Sequence, residues 1–282
     1  MELDMSYSSL MVHLDLEPSN DARLRIAGDL ATRFDAHVIG IAAGDLNPPA
    51  YGRSYGGGSF EAALITEERA TIEKQLAEVE RRFRATMGGY GHDMEWRQAF
   101  EKPNPFVARQ ARAADLIITG LGCYGNLLDP FRALDPSTLV IEAGRPILIV
   151  PPEVESFQGR RILLGWKDTR EARRAIWDAL PLLQAAEYVV VSEILESDDL
   201  AAAHSCVDDV AEWLDRHEVI AMARAVKANG ETAELLQDLA SEELADLLVT
   251  GAYGHSRLGE WIWGGVSQKL LASSQLCCFL AH

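Results

Sequence analysis

Three glycines in the segment ITGLGCYGNLLDPF, residues 118–131, have the spacing of a dinucleotide-binding fingerprint. Gly120, Gly122 and Gly125 follow the apolar run 114–118, which is typical of a buried strand. In a dinucleotide-binding domain this loop follows the first strand and leads directly into a helix that receives the pyrophosphate. Here the loop follows a fourth predicted strand, and two Asp-Pro steps delay the next helix until Asp135.

A second glycine loop lies near the end of the chain. Gly251 and Gly254 close the segment GAYG, nine residues follow, and the cluster Gly264-Gly265-Val266-Ser267 then opens a predicted helix. Glycines at a strand end let the backbone approach a ligand closely, and the first N–H groups of a helix have no partners within it. A phosphate placed there gains those hydrogen bonds and the positive end of the helix dipole. The second loop therefore predicts a nucleotide cradle.

The sequence contains an internal repeat, and aligning its two copies decides between the two loops. ADLIITG at 114–120 corresponds to ADLLVTG at 245–251, and each segment follows a helical pattern and precedes a glycine loop and a short apolar strand. The alignment matches Gly120 with Gly251 and Gly125 with Gly254, which leaves two extra residues in the first copy. The dinucleotide spacing is therefore produced by an insertion, and we reject a dinucleotide site.

The repeat also predicts the fold. Apolar runs alternate with helical patterns in each copy, which indicates βαβ units and a mainly parallel sheet with helices on both faces. We place two domains at 1–152 and 160–282, separated by the proline- and charge-rich segment 151–160. The last apolar strands, 146–150 and 276–280, are predicted to pair antiparallel in a pseudo-dimer, because an unpaired apolar edge favours aggregation.

Composition excludes several classes of function. The formal net charge of −17 and the absence of a Lys/Arg stripe argue against a nucleic-acid partner. No apolar run has the length of a membrane span, and the first residues do not resemble a secretory signal. The adjacent Cys277 and Cys278 are predicted to point to opposite faces of a strand as small apolar residues. These features predict a cytoplasmic protein without a membrane partner.

The Gly-x2-Gly-x9-Gly loop after a strand resembles the adenine-nucleotide loop of the universal stress protein family. The resemblance covers nearly the whole chain as a tandem, two-domain member. It implies two doubly wound α/β domains of the adenine nucleotide α-hydrolase-like type, each with a five-stranded, mainly parallel sheet. It also implies that the loop holds the ribose and phosphates of ATP, while an Asp after the first strand and main chain at the end of the second hold the nucleoside.

Transferring these roles onto the second copy gives the residues that are expected to bind the cofactor, ATP. Gly251, Gly254 and Gly264 match the family's glycines. Gly265 stands where the family usually has Ser or Thr, and Lys167 stands in place of the first-strand Asp. The remaining candidates lie near the expected contacts to the nucleoside and phosphates: Val266, Ser267, Glu193 and His255.

The first copy departs from the pattern in another way. Asp15 is retained after the first strand, but Asp135 replaces the third glycine and precedes Pro136. Asp as the N-cap residue with Pro in the first helical position is a strong helix start. We expect the carboxylate of Asp135 to occupy the place of a phosphate, so that this half fills its own anion site.

Two hypotheses about function remain open at this stage. The first is a stress-response protein that holds ATP or a related adenine nucleotide in its second domain, with at most slow hydrolysis and no assigned catalytic or metal-binding residue. The second is a ligand-free scaffold that acts through its surface and its dimer interface, including a homodimer. A nucleotide-activating enzyme is disfavoured, because its Ser-Gly-Gly and His-x-Gly-His signatures are absent from the sequence.

Overall fold

A computed structural model describes residues 6–16, 21–47, 58–121, 129–195, 199–252, 266, 269–270 and 274–282. Strands and helices alternate along these segments, and the order of elements in the first half of the chain is repeated in the second. The strands are β1 (Ser9–His13), β2 (His37–Ala43), β3 (Met94–Ala99), β4 (Leu116–Gly120), β5 (Ile147–Val150), β6 (Arg161–Trp166), β7 (Tyr188–Leu195), β8 (Ala221–Lys227), β9 (Leu247–Gly251) and β10 (Cys277–Ala281).

The helices cover the connections between the strands. A short 3-10 turn at Ala111–Ala113 follows the third of them. The α-helices are α1 (Asp21–Phe34), α2 (Gly58–Gly88), α3 (Pro103–Gln110), α4 (Pro136–Glu142), α5 (Arg170–Gln184), α6 (Leu200–Asp215) and α7 (Thr232–Glu242). Among the described residues, no helix combines the length and apolarity that crossing a bilayer requires.

The described strands form one sheet in the order β3-β2-β1-β4-β5-β10-β9-β6-β7-β8. Neighbouring strands are parallel within each half, and β5 and β10 are antiparallel. Leu148 lies opposite Phe279, and Ile147 lies opposite Leu280. This arrangement confirms the α/β tandem fold and the predicted pairing of the last strands. The limits of the two domains, 1–152 and 160–282, remain predictions.

Helices pack on both faces of the sheet because the central strands are apolar on both sides. Apolar residues of α1, α2, α5 and α6 form a core with one face, and those of α3, α4 and α7 form a core with the other. Cys277 and Cys278 are both fully buried and belong to opposite cores, as the alternation of a strand requires. Burial raises the pKa of the Cys278 thiol to about 12, so this sulfur is a packing group.

Candidate functional site

The candidate site in the second half lies where strand order reverses. From β6 the chain continues outward to β7 and β8, whereas β9 and β10 lie on the other side of β6. In open α/β sheets, ligands bind at this point, in the crevice beyond the carboxyl ends of the strands. Gly165 of β6 lies opposite Thr250 of β9, and Trp166 lies opposite Glu193 of β7. The register therefore brings Lys167, Glu193 and Gly251 to one edge of the sheet.

Gly251 allows a helix to pass directly over the end of β9. A Cβ atom at this position would lie 2.5 Å from the backbone nitrogen of Ala172 and 2.6 Å from the carbonyl carbon of Glu171, in the first turn of α5. The N-cap residue Thr169 accepts a hydrogen bond from the Ala172 N–H through its side chain, at 3.3 Å. The first glycine of the loop thus sets the distance between strand and helix.

Glu193 places an unsatisfied oxygen at this edge. Its Oε2 atom is buried and has no hydrogen-bond partner among the described residues. Burial and then the negative charge of Asp168 raise the pKa of Glu193 above its ordinary value, and Lys167 lowers it by less. Lys167 and Asp168 are themselves exposed. Burying a carboxyl oxygen without a hydrogen bond costs free energy, and a ligand donor at Oε2 would relieve that cost.

Part of the predicted loop lies outside the described residues. Gly254, His255, Gly264, Gly265 and Ser267 belong to this group. Val266 is described as helical and half-buried, and it packs against the core on the α7 side of the sheet. The helical state of Val266, Lys269 and Leu270 agrees with the helix predicted after the second glycine cluster. The roles of all these residues toward a ligand remain predictions.

In the first half, Arg23 occupies the corresponding crevice. The Arg23 side chain comes from α1 and is only 5% exposed. Its Nη1 atom donates to the His13 carbonyl at 3.0 Å, and its Nη2 atom donates to Asp15 Oδ2 at 2.5 Å. A Cβ atom on Gly120 would lie 3.2 Å from Arg23 Cζ. The guanidinium therefore lies between the carboxyl ends of β1 and β4.

The ion pair with Arg23 changes the role expected for Asp15. Burial raises the pKa of Asp15, but Arg23 and His13 outweigh that effect, and the pKa lies below its ordinary value. Asp15 is therefore a carboxylate that neutralises Arg23. His13, which is 1% exposed, contacts Thr119 Oγ1 through Nδ1 at 3.2 Å. This cluster of side chains fills the first half's crevice with groups that bind each other.

Asp135 caps α4, as the sequence predicts. Its Oδ1 atom accepts hydrogen bonds from the backbone N–H of Ser137 at 3.0 Å and from the Ser137 hydroxyl at 2.5 Å. Its Oδ2 atom accepts from the hydroxyl of Thr138 at 2.6 Å. The amide of Asn104 binds both the N–H and the carbonyl of Asp135 and fixes its backbone. The carboxylate thus takes up one backbone N–H and two hydroxyl donors at the start of the helix.

With this geometry established, residues 159–276 match the model of the universal stress protein family. The chain carries a universal stress protein domain. This domain contains β6 to β9 and the complete glycine-loop sequence from Gly251 to Ser267. A search of the curated proteins finds no match to the chain.

Solved structures extend the likeness to the whole chain. A universal stress protein from Archaeoglobus fulgidus DSM 4304 has a TM-score of 0.73 at 14% identity, covering 97% of this chain and 98% of that one. A Pseudomonas aeruginosa UCBPP-PA14 protein assigned to the same family has a TM-score of 0.61 at 14% identity, covering 98% and 93%. At these identities the likeness establishes the fold, and it establishes it for both halves.

A further solved structure covers about half of the chain. It is a universal stress protein in complex with cAMP, with 18% identity and a TM-score of 0.37, covering 52% of this chain and 98% of its own. The cyclic nucleotide is a property of that protein, and the low TM-score gives the likeness no weight for the present site.

Sequence reasoning missed Arg23, although a signal was present. The buried stripe of α1 contains Ile26, Ala27 and Leu30. Arg23 precedes these residues by three, four and seven positions and therefore lies on the same stripe. A charged residue on an apolar stripe needs a buried partner, and Asp15 is the carboxylate that the chain supplies nearby.

The cap of α4 leads to a prediction about stability. Replacing Asp135 with Ala should lower the free energy of unfolding by roughly 0.5–2 kcal/mol, because the helix loses its cap and two hydroxyl groups lose their acceptor. Asp199→Ala is the matched control, since the Asp199 carboxylate caps α6 through a more exposed hydrogen bond of 3.2 Å to the Ala202 N–H. Urea unfolding of both variants measures the difference. An equal loss in the two proteins would show that the additional contacts of Asp135 contribute nothing.

Proposed function

We propose that the universal stress protein domain binds an adenine nucleotide, with ATP as the expected ligand, at the carboxyl edge of β6, β7 and β9. The observation that carries the proposal is the Oε2 atom of Glu193, which is buried, has no hydrogen-bond partner among the described residues and lies at the strand-order reversal, beside Lys167 and Gly251. The family match over this half supports the same site. The chain then acts in the cytoplasm as a stress-response binding protein, with at most slow hydrolysis.

The chemistry of the edge fits a nucleoside. A base amine or a ribose hydroxyl donates hydrogen bonds, and the Glu193 carboxyl group offers an acceptor that the described residues leave unused. Lys167 follows β6 and adds a positive charge that favours phosphates. The backbone of Gly251, Gly254, Gly264, Gly265 and Ser267 is proposed to surround the ribose and phosphates, with Val266 and His255 beside them.

The arrangement of the first half supports placing the nucleotide in the second half only. Arg23 fills the first crevice, and Asp135 takes the Ser137 N–H that a phosphate would use. Both groups are bound to protein atoms, so a nucleotide there would first have to break an ion pair and a helix cap. We therefore expect one nucleotide for each chain.

Titration calorimetry with ATP tests the proposal. We expect wild-type protein to bind one equivalent and Gly254→Val to lose at least tenfold in affinity, because a branched side chain enters the space that the phosphates need. Gly125→Val is the matched control, since Gly125 is the aligned glycine of the first copy. Glu193→Leu should weaken the binding of both adenosine and ATP, because the nucleoside loses its hydrogen-bond acceptor.

Mass spectrometry of small molecules released from the purified protein identifies the bound species. An adenine nucleotide released from wild-type protein and absent from Gly254→Val agrees with the proposal. Wild-type protein that neither releases a nucleotide nor binds added ATP would favour the ligand-free scaffold. Equal loss of affinity in Gly125→Val and Gly254→Val would contradict the assignment to the second half.

A further inference from the structure

A cleft of about 890 Å³ separates α5 from α6 on one face of the sheet. Trp166, at the end of β6, lies at the sheet side of the cleft, and the two helices form its walls. The volume is in the range of pockets that hold small molecules. None of Lys167, Glu193, Gly251 and Val266, the described residues of the proposed nucleotide site, lines this cleft.

Aromatic rings supply much of its surface. The Trp166 indole N–H donates to Cys206 Sγ at 3.3 Å, so this polar edge is already engaged. Trp177 on α5 faces Trp213 on α6, with ring centroids 6.3 Å apart and an angle of 46° between the planes. Trp177 is 48% exposed, although a tryptophan gains much from burial. Trp213 also packs on His217, with ring centroids 4.3 Å apart, so the exposed part of Trp177 is the flat apolar face that a planar ligand can meet.

Three arginines lie on the α5 wall of the cleft. Arg170, Arg173 and Arg174 all line the cleft, together with Asp168 and Asp209. Each guanidinium already has an acidic partner. These partners are Glu171 for Arg170, Asp168 for Arg173 and Asp178 for Arg174.

A guanidinium has five N–H donors, and a carboxylate takes at most two of them in a fork. The arginines can therefore keep their partners and still donate to a ligand. Asp209 lies on the opposite wall, formed by α6. An anionic group on the ligand must therefore lie toward α5.

The first half of the chain shows that the fold does not require this cleft. There α1 and α2, which correspond to α5 and α6, pack on each other. The ring of Tyr90 lies against Gly28 of α1, and Arg82 of α2 binds Asp21 at 2.5 Å. A connected run of α2 residues is buried in the core: Ile72, Leu76, Val79, Phe83 and Met87. In the second half, the first turns of α5 and α6 leave a cleft between them, while the far ends of the two helices meet through the hydrogen bond from Gln184 Nε2 to the His217 carbonyl.

We propose that the cleft between α5 and α6 binds a small planar aromatic carboxylate, with its ring against the exposed face of Trp177 and its anion at Arg173, one helical turn away. This site is additional to the nucleotide site at the sheet edge. Ring stacking supplies apolar contact, and the guanidinium supplies a charge-assisted hydrogen bond. The net charge of −17 disfavours anions at long range, so the ring is required as well as the charge.

A binding experiment on the full chain tests the proposal. It compares 2-naphthoate with its uncharged analogue 2-naphthamide and measures binding by tryptophan fluorescence and equilibrium dialysis. We expect one 2-naphthoate for each chain. Arg173→Gln should lower the affinity for 2-naphthoate at least fivefold and leave the affinity for 2-naphthamide within twofold of wild type. Trp177→Ala should lower the affinity for both compounds at least fivefold. Trp177 and Arg173 are both exposed enough for the variants to fold, which their urea midpoints check.

The controls keep the result specific. Arg81→Gln removes an arginine from an exposed ion pair on α2, and Ile141→Ala removes an apolar side chain of matching exposure, 47%, from α4. Neither should change the binding of either compound. Absence of 2-naphthoate binding to wild-type protein, or equal effects of the cleft and control variants, would overturn the proposal.

A competition experiment separates this site from the proposed nucleotide site. We expect saturating ATP to leave 2-naphthoate bound and Gly254→Val to leave its affinity unchanged. If ATP displaces 2-naphthoate and Gly254→Val loses affinity for it, the cleft is part of the nucleotide site. That result would overturn the proposal of an independent site. Failure of ATP to bind at all would affect the nucleotide proposal alone.

Discussion

Acidification from pH 6.5 to pH 4 is expected to remove about 3 kcal/mol of stability through His13 alone, at about 1.4 kcal/mol for each pH unit between the two pKa values. His13 is fully buried, and burial lowers its pKa from 6.5 to about 4, with Arg23 adding to that effect and Asp15 opposing it. Below pH 6.5 the unfolded chain binds a proton at this residue while the folded protein does not. The free energy of unfolding therefore decreases as the pH is lowered, until His13 is protonated in the folded protein as well, near pH 4.

Comparison with His13→Asn measures the effect. Asn keeps a polar atom near the position of Nδ1, which contacts Thr119, but does not titrate. Urea unfolding at several values between pH 7 and pH 4 should give a difference between the two proteins that narrows as pH falls. Titratable groups remote from His13 are common to both proteins and cancel in that difference. Parallel profiles would contradict the assignment of this pH dependence to His13.

Gly251→Ala is expected to destabilise the protein by roughly 1–3 kcal/mol, the usual cost of overpacking. The added methyl group would meet the backbone nitrogen of Ala172 at 2.5 Å and the carbonyl carbon of Glu171 at 2.6 Å. Backbone atoms cannot rotate away as a flexible side chain can, so the start of α5 must move from β9. The same movement should weaken the binding of ATP, since it displaces the sheet edge at which the nucleotide is proposed to bind.

Gly230→Ala is the matched control for this prediction. A Cβ atom on Gly230 would meet no heavy atom within 4 Å, so that variant should unfold within about 0.5 kcal/mol of wild type. Thermal or urea unfolding of the two variants gives the comparison directly. If Gly251→Ala is as stable as Gly230→Ala, the close approach of α5 to β9 has no energetic consequence.

The two halves share one fold but differ in how they fill the same position. In the first half Arg23 and Asp15 form an ion pair between β1 and β4, and Asp135 closes the start of α4. In the second half the backbone of α5 crosses Gly251, and Glu193 keeps a buried oxygen without a described partner. A duplicated chain can keep one copy as a stable half of the sheet while the other retains a ligand site.

Some features followed from the sequence because they depend on local or periodic patterns. The alternation of apolar runs and helical stretches predicted the βαβ order, and the short apolar strands 146–150 and 276–280 predicted the antiparallel joint at β5 and β10. Asp135 could be assigned as a cap because an N-cap residue acts on N–H groups two or three positions away. Each of these inferences needs only neighbouring residues or the repeat.

Other features required the tertiary structure because they join residues that are distant in the chain. The resemblance alone implied a nucleoside contact at the position of Asp15, and only the packing of α1 against β1 and β4 brought Arg23 to it and to Gly120. The cleft between α5 and α6 is a matter of helix separation, since both helices have ordinary apolar stripes. Spacing along a helix determines which face is apolar, but the distance to the next helix depends on side chains contributed by both. That distance was therefore decided by the fold.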